Sequence, residues 1–390
     1  MPDPGRISAL TPGSATRAGT EEYVRAAGAS CAPGHYSDFL NQHLKLSSLG
    51  IGTFPGAATD AVDEAYACII GRALCSGINV LDTAAHYRYG RSMRAAGEGL
   101  RCAFAAGIAR EQLYVVGKGG FLRFDEGPPA DLDAWFAEAI ARKGLGTRDD
   151  LTGVHCIAPG YIAAQIDELR EAMGLATLDA FLIDQPEVHI PRMGKEELNR
   201  RLQTVFAVCE QAVRQEKIRS YGIATFAGFR VETDDVLFQS LTSLLGLAEN
   251  AARIANRGGP SRHHFRVVQL PFNAVMNEGF TRFSQATGQG NVASTLQAAH
   301  QLRLFVMGSH GLAKGRLAAT GMDALHAAMP DLSCDAQRAL QFNRSTPGLG
   351  VSLAGVSTPA HLDDILAVAT QAPLSRETYL ALYRRAGGQE

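Results

Sequence analysis

Short apolar segments alternate with longer amphipathic ones from about residue 46 to residue 372. The apolar segments have the length of β-strands, and after each one apolar residues recur at helical spacing. Eight strands that alternate with helices are typical of an α/β fold, the (β/α)8 TIM barrel, whose usual size of roughly 250 residues fits this span with insertions. The predicted strands are 46–54, 78–83, 113–118, 179–184, 220–225, 267–272, 304–309 and 351–356.

The segments outside this pattern define the expected domain organisation. Residues 1–44 are rich in Gly, Ala, Ser and Thr and show little periodicity, which predicts an irregular N-terminal arm. Residues 45–390 are then one barrel domain, with long loops at 121–159 and 247–266 that we expect to cover a pocket. A doubly wound open sheet is the alternative for any alternating chain, although no G-x-G-x-x-G turn is present.

Composition narrows the class of partner. The net charge is −2 without a dense Lys/Arg block, so neither a nucleic acid nor an anionic membrane is expected, and a small molecule is the predicted partner. The seven cysteines are widely spaced without a C-x-x-C pair, and no apolar segment has transmembrane length. These features, with an N-terminus unlike a signal peptide, predict a cytoplasmic protein. Substrate identity and oligomeric state have no readable signal.

Three residues at predicted strand ends form a candidate proton donor. Asp82 and Tyr87 follow the second strand, and Lys118 ends the third. A phenol with a pKa near 10 does not easily release its proton at neutral pH, but a nearby ammonium lowers that pKa and a carboxylate can hold the ammonium in place. Catalytic residues of such barrels lie where strands end, as these three do together with Asp184, Thr225 and Gln269.

At this point the sequence resembles the aldo/keto reductases, over about residues 46–368. The resemblance rests on Leu49 to Thr53, on Gly77 to Ala84 with Tyr87 and Gly90-Arg91-Ser92, on Lys118, and on 216–223 and 355–361. It implies NADPH along the upper face of the barrel, Tyr87 as general acid tuned by Asp82 and Lys118, and hydride transfer to a carbonyl carbon. No metal is predicted, and the implied cofactor-binding residues are Thr53, Ala224, Thr225, Gln269, Gly308, Ser309, Val356, Ser357, Thr358 and His361.

The fourth member of the catalytic set departs from the family. Where the family most often has a His ending the fourth strand, this chain has Asp184. An ionised Asp would repel a developing oxyanion by about 4 kcal/mol at ~4 Å and an effective dielectric constant near ~20. A protonated Asp184 in an apolar pocket would instead donate a hydrogen bond. A family branch that reduces activated C=C bonds resembles this chain in having an acidic residue there, though Glu. Reduction of a carbonyl or of an activated double bond is therefore expected.

Several positions that bind the cofactor in the aldo/keto reductases also differ in this sequence. Ala224-Thr225 replaces a Ser-Asn pair, Gly308 replaces a ring that stacks on the nicotinamide, and His361 replaces an Arg for the 2′-phosphate. The backbone of 356–358, at the start of a predicted helix, can still receive a phosphate. These departures keep open a non-redox acid/base enzyme, such as a lyase, dehydratase or isomerase, that lacks the nicotinamide. A non-catalytic binding protein is a third hypothesis.

Other polar residues are assigned smaller roles. Arg88 is preferred over Arg91 as a contact for an anionic substrate. Glu187 and His189, just beyond Asp184, are alternative hydrogen-bond donors on a loop. His155 is assigned to packing.

Overall fold

Fourteen strands are present in the computed structural model, which describes residues 9–39, 41–257, 262–288 and 290–386. Eight of them close into a parallel barrel in sequence order, and six form three two-stranded antiparallel sheets. The barrel strands are β3 (Leu49–Gly52), β4 (Val80–Asp82), β5 (Tyr114–Gly119), β8 (Ala180–Asp184), β9 (Tyr221–Ala224), β10 (Phe265–Pro271), β13 (Phe305–Ser309) and β14 (Val351–Gly355). The other strands are β1 (Tyr36–Phe39), β2 (Leu44–Ser47), β6 (Leu151–Thr152), β7 (His155–Cys156), β11 (Phe283–Ala286) and β12 (Val292–Ser294).

All eight predicted strands are barrel strands, so the predicted TIM barrel is confirmed. The barrel closes where β14 pairs with β3, with Ser352 opposite Leu49 and Gly355 opposite Gly52. Only the first prediction spans two elements, because residues 46–54 include the end of β2 as well as β3.

Helices surround the barrel and bury their apolar faces against it. Large apolar side chains of the strands and helices form one continuous outer core, for example Ile70, Leu169, Phe206 and Leu362. The α-helices are α1 (Arg17–Ala26), α2 (Asp60–Cys75), α3 (Arg91–Ala105), α4 (Leu132–Phe136), α5 (Pro159–Met173), α6 (Ile190–Arg214), α7 (Leu241–Ala255), α8 (Glu278–Thr281), α9 (Thr295–Gln301), α10 (Arg316–Thr320), α11 (Asp323–Ala328), α12 (Asp335–Arg344), α13 (Pro359–Ala369) and α14 (Arg376–Ala386). None of the helices in the described part of the chain is both long and apolar enough to cross a membrane.

The N-terminal arm is more regular than its composition predicted. It contains helix α1, whose N-cap Thr16 accepts a hydrogen bond from the Gly19 amide, and strand β1, which forms a hairpin with β2 at the boundary with the barrel domain. Phe39 stacks on Phe305 at 4.6 Å between ring centroids and packs with the inward-facing residues of the barrel. The hairpin therefore closes one end of the barrel, which explains why a segment without long periodicity is ordered.

The predictions of two long loops, at 121–159 and 247–266, are wrong for different reasons. Residues 121–159 contain regular secondary structure, namely α4, a π-helical turn at Ala137–Ala141 and the hairpin of β6 and β7. A small core of their own, including Phe124, Phe136 and Tyr161, holds them together. Residues 247–255 belong to helix α7, and the chain then returns to the start of β10, so this segment is at the end of the barrel opposite the strand carboxyl ends. Gly258-Gly259-Pro260 lie outside the described residues.

Candidate active site

Asp82, Lys118 and Tyr87 come together at the carboxyl end of the barrel. Asp82 ends β4, Lys118 lies near the end of β5, and the two form a buried ion pair through Lys118 Nζ and Asp82 Oδ2. Gln269 Nε2 donates to the other carboxylate oxygen of Asp82 at 3.0 Å. The ammonium of Lys118 lies over the ring of Tyr87, at 5.0 Å from its centroid. The structure thus brings together four of the predicted site residues.

Asp184 completes this group as the last residue of β8. The residue is 5% exposed, and the charge of Lys118, which is paired directly with Asp82, also acts on its carboxyl group. Burial raises the pKa of Asp184 to about 7, with further raising by Asp82 and Glu187, while Lys118 and a hydrogen bond with Gln185 lower it. Near neutral pH a large fraction of Asp184 is therefore protonated and able to donate a hydrogen bond.

The environment of Tyr87 differs from the expectation. Burial raises the pKa of Tyr87 well above its usual value of 10.0, and the nearby carboxylates of Asp184 and Asp82 raise it further. We expected Lys118 to lower this pKa, but its ammonium faces the ring and is paired with Asp82. Tyr87 consequently holds its proton throughout the neutral range.

The predicted contacts of a nicotinamide ring lie beside this group. Thr225 follows β9, and its buried Oγ1 has no hydrogen-bond partner among the described residues. Ala224 pairs in register with Asp184 on one side and Gln269 on the other. The hydroxyl of Thr53, in contrast, is buried and donates to Thr83 Oγ1 at 2.8 Å. Thr225 and Gln269 are thus the side chains that fit a carboxamide.

The residues after β13 are arranged differently from the prediction. A Cβ at Gly308 would meet Leu349 Cδ1 at 3.2 Å and Phe272 Cβ at 3.3 Å, both in the outer core, so this position faces away from the barrel interior. Ser309 is half-buried and bonds the neighbouring His310 ring at 3.3 Å. A side chain at 308 therefore cannot stack on a ligand at the mouth.

The end of β14 leads into the start of helix α13. Val356 is buried, Ser357 is half-buried, and Thr358 is the N-cap, whose Oγ1 accepts from the amide of His361 at 3.3 Å. His361 is exposed in the first turn. An eleven-residue helix that begins next to a barrel mouth has the amide groups and dipole that receive a phosphate.

Comparisons with known proteins agree with this geometry. Residues 48–233 match the model of the aldo/keto reductase family. That part of the chain is therefore similar in sequence to the aldo/keto reductases. The family is one of oxidoreductases, and the matched residues include Asp82, Tyr87, Lys118 and Asp184.

Solved aldo/keto reductases share the fold over most of the chain. An aldo/keto reductase from Klebsiella pneumoniae, in complex with NADP and acetate, has 18% identity and a TM-score of 0.58, with 90% of this chain and 95% of that chain covered. An aldo-keto reductase from Bacillus halodurans, in its holo form, has 16% identity and a TM-score of 0.58, with the same coverage of 90% and 95%. No curated protein sequence is significantly similar to this chain.

Two arginines near Tyr87 have structural roles. Arg88 was predicted to contact an anionic substrate, but its guanidinium bonds Ala57 O at 2.9 Å and pairs with Asp63 at 2.5 Å. Its backbone φ of 50° belongs to the left-handed region, and its side chain lies over the ring of Tyr66. Arg91 pairs with Asp60 and Asp63. Both arginines hold the loop that carries Tyr87 against the start of α2.

Sequence reasoning missed a chain of hydrogen bonds behind Asp184. His155 Nε2 bonds the carbonyl oxygen of Asp184 at 2.5 Å, and its Nδ1 bonds His189 Nε2 at 2.9 Å. His189 Nδ1 then bonds Thr152 Oγ1 at 2.8 Å. Burial lowers the pKa of His155 to about 4 and that of His189 to about 3, so both rings are neutral. The assignment of His155 to packing was therefore incomplete, and His189 is a buried link rather than a loop donor.

Glu187, which is buried, and His86, which is half-buried, are two more groups next to the candidate active site. Glu187 Oε1 accepts from the amides of Phe226 and Ala227 at 2.7 and 3.1 Å, so it fixes the loop after β9 instead of reaching a substrate. The His86 ring packs against that of Tyr87 at 4.8 Å, and burial lowers its pKa to about 3. In the sequence, only the position of His86 next to Tyr87 indicated that it could lie at the site. Within the described residues, no group of His, Cys, Asp and Glu could hold a metal ion.

Proposed function

We propose that this protein is an NADPH-dependent oxidoreductase that reduces a carbonyl or an activated double bond of a small organic substrate. The observation that carries the proposal is the buried ion pair of Asp82 and Lys118 beside the half-buried Tyr87, at the carboxyl end of a barrel that resembles the aldo/keto reductases. A bound reduced nicotinamide supplies the hydride.

Tyr87 acts as the proton donor in this proposal. Its phenol stays protonated at neutral pH, because burial and the two carboxylates raise its pKa. An alkoxide or enolate formed by hydride transfer is basic enough to take this proton, and Lys118 then lies against the phenolate ring that remains. Lys118 is held in place by Asp82, which Gln269 orients in turn.

Asp184 in its neutral form orients the substrate. Its protonated carboxyl donates to the substrate oxygen, whereas its ionised form would repel the charge that develops there. The rings at the mouth, with Phe54 packed edge-on against Tyr87 at 5.1 Å and Phe226 against His310 at 5.4 Å, offer an apolar surface for the substrate.

The residues on the cofactor side support nicotinamide binding through few side chains. The unpartnered Oγ1 of Thr225 and the amide of Gln269 fit the carboxamide, and the start of α13 fits a phosphate. NADP and NADPH are the ligands of similar enzymes from Klebsiella pneumoniae. His361 favours the 2′-phosphate only when it is protonated.

A Tyr87→Phe variant tests the role of the phenol. With an enone as substrate, the rate of NADPH oxidation should fall by roughly 100-fold or more, because general acid catalysis is lost. NADPH affinity, followed by cofactor fluorescence, should be unchanged, because the ring that packs on Phe54 and Lys118 remains.

Tyr89→Phe is the matched control. Tyr89 is two residues away and 37% exposed, and it should keep its activity. Equal losses of NADPH oxidation rate in Tyr87→Phe and Tyr89→Phe, or a loss of NADPH binding by Tyr87→Phe, would contradict the proposal.

A further inference from the structure

A second polar cleft lies at the end of the barrel opposite Tyr87. It has a volume of about 500 Å³ and lies between the N-terminal arm and the segments that enter β9 and β10. Its basic lining residues are Arg17, Arg219, Arg262, His264 and Arg266. Arg219 precedes β9 and Arg266 lies at the start of β10, whereas Thr225 and Gln269 lie at the other ends of these strands. The cleft is therefore separate from the candidate active site.

Three guanidinium groups of this cleft have no carboxylate bonded to them. Arg219 and Arg262 are exposed and pair with no acidic side chain of the described residues. Arg266 donates to two backbone carbonyls, those of His263 at 2.6 Å and Phe265 at 2.7 Å. The positive charge of these three arginines is thus not neutralised by direct ion pairs.

The carboxylates around the cleft already have partners. Glu210 accepts from both the amide and Nδ1 of His264, each at 2.7 Å, and Glu21 pairs with Arg17 at 2.8 Å. Burial and the charge of Arg262 lower the pKa of Arg266, while Glu210 raises it. Two positive charges that act on each other therefore line the same cleft, which favours a bound anion.

Helix α1 adds a second feature that attracts an anion. Thr16 and Arg17, at its N-terminus, line the cleft, and the helix has ten residues. Thr16 Oγ1 caps the Gly19 amide, whereas the amides of Arg17 and Ala18 have no acceptor in the part of the chain that the structure describes. Free amides and the positive end of the helix dipole add to the three guanidiniums.

We propose that this cleft binds a phosphorylated small molecule. Arginine side chains bind phosphate oxygens in pairs, and the volume is within the range of small-molecule sites. The basic lining residues are confined to this one cleft, and the whole chain has a net charge of −2. Both features disfavour a long polyanion such as a nucleic acid. A ligand here would join the arm to the barrel and stabilise the folded protein.

Inorganic pyrophosphate is the probe for this site. Titration calorimetry at low salt should show saturable binding to the wild-type protein, and thermal unfolding should shift upward with pyrophosphate concentration. The Arg219→Gln/Arg262→Gln variant should bind at least tenfold more weakly and lose the shift. Both residues are exposed, so the variant should fold, and each single variant should show part of the loss.

A control with the same change in charge separates this site from a general effect. Lys143 and Arg376 are exposed, lie elsewhere and have no ion pair in the described ranges, so Lys143→Gln/Arg376→Gln should bind like the wild type. Absence of saturable binding, equal binding by the Arg219→Gln/Arg262→Gln variant, or equal losses in both double variants would overturn the proposal. Calorimetry without cofactor makes the result independent of the redox reaction.

Discussion

At the scale of single residues, the candidate chemistry depends on two carboxyl groups near one ammonium. Asp82 and Asp184 are both buried and both interact with the charge of Lys118, which is paired directly with Asp82. Burying charge without a partner is unfavourable, so the neutral form of Asp184, which has no direct ion pair, is favoured and its pKa is raised. This explains how an Asp can occupy a position where a neutral donor is required.

The pH dependence of the reaction tests this account of Asp184. Because the pKa of Asp184 is raised to about 7, kcat/KM for carbonyl or enone reduction should fall about tenfold per pH unit above it. The phenol of Tyr87 cannot cause this fall, because its pKa is well above 10.0. In Asp184→Asn, which keeps a neutral donor, the fall between pH ~7 and ~9 should disappear. A variant that keeps the wild-type profile would assign the fall to another group.

Stability gives an independent reading of the same carboxyl group. Its folded-state pKa of about 7 exceeds its ordinary value of 3.8, so between these values the folded state binds more protons than the unfolded state. The free energy of unfolding should therefore decrease as pH rises from ~4 to ~7 and should be lowest above that range. Urea unfolding of Asp184→Asn should lack this decrease.

The positions of the site residues in the fold could be predicted more readily than their pKa values and contacts. Asp82, Lys118 and Asp184 lie at strand ends, which the periodicity locates, and the structure places them together. The pKa of Tyr87 depends on burial and on the carboxylates of Asp184 and Asp82, and the guanidinium of Arg88 is held by Asp63 and the carbonyl of Ala57. Neither property is determined by neighbours in sequence.

At the scale of secondary-structure elements, one buried ion pair connects four segments. Arg110 pairs with Asp179 at 2.7 Å, and both side chains are 2% exposed. Asp179 also accepts from the amides of Ala15 in the arm at 2.6 Å and Val115 in β5 at 2.8 Å. Arg110 donates to the carbonyl of Thr177, just before β8, at 2.9 Å. This pair joins the arm to the base of the barrel.

An Asp179→Ala variant should therefore be strongly destabilised. It leaves the charge of Arg110 buried without a partner, which costs about 3–5 kcal/mol in the free energy of unfolding. Denaturant unfolding measures this loss. Glu21→Ala is the control, since it breaks the exposed pair with Arg17 on the same arm and should change stability little. Similar losses in both variants would refute the role of the buried pair.

The sequence did not predict the shortest secondary-structure elements or the positions of some loops. The hairpin of β6 and β7 has two residues in each strand, too few for an alternating pattern, yet it places His155 behind Asp184. The segment after α7 has the length of a mouth loop, but the direction of the chain puts it at the other end of the barrel. Connectivity, and not composition, decides such positions.

At the scale of the whole molecule, the two ends of the barrel have different roles. The hairpin of β1 and β2 packs Phe39 and Leu44 into one end, and the candidate active site occupies the other. Strand spacing is set by close contacts such as that at Gly222, where a Cβ would overlap the carbonyl of Val267. The eight strands were predictable from their apolar pattern, whereas their closure and this contact depend on residues distant in sequence.

Titration of the purified protein with NADPH and NADH, followed by cofactor fluorescence, tests the central claim most directly. The proposed oxidoreductase should bind NADPH saturably at micromolar concentration, in the wild type and in Tyr87→Phe alike. A protein that is folded by circular dichroism but binds neither cofactor would contradict the claim. It would instead favour an acid/base enzyme that uses Asp82, Tyr87 and Lys118 without a nicotinamide.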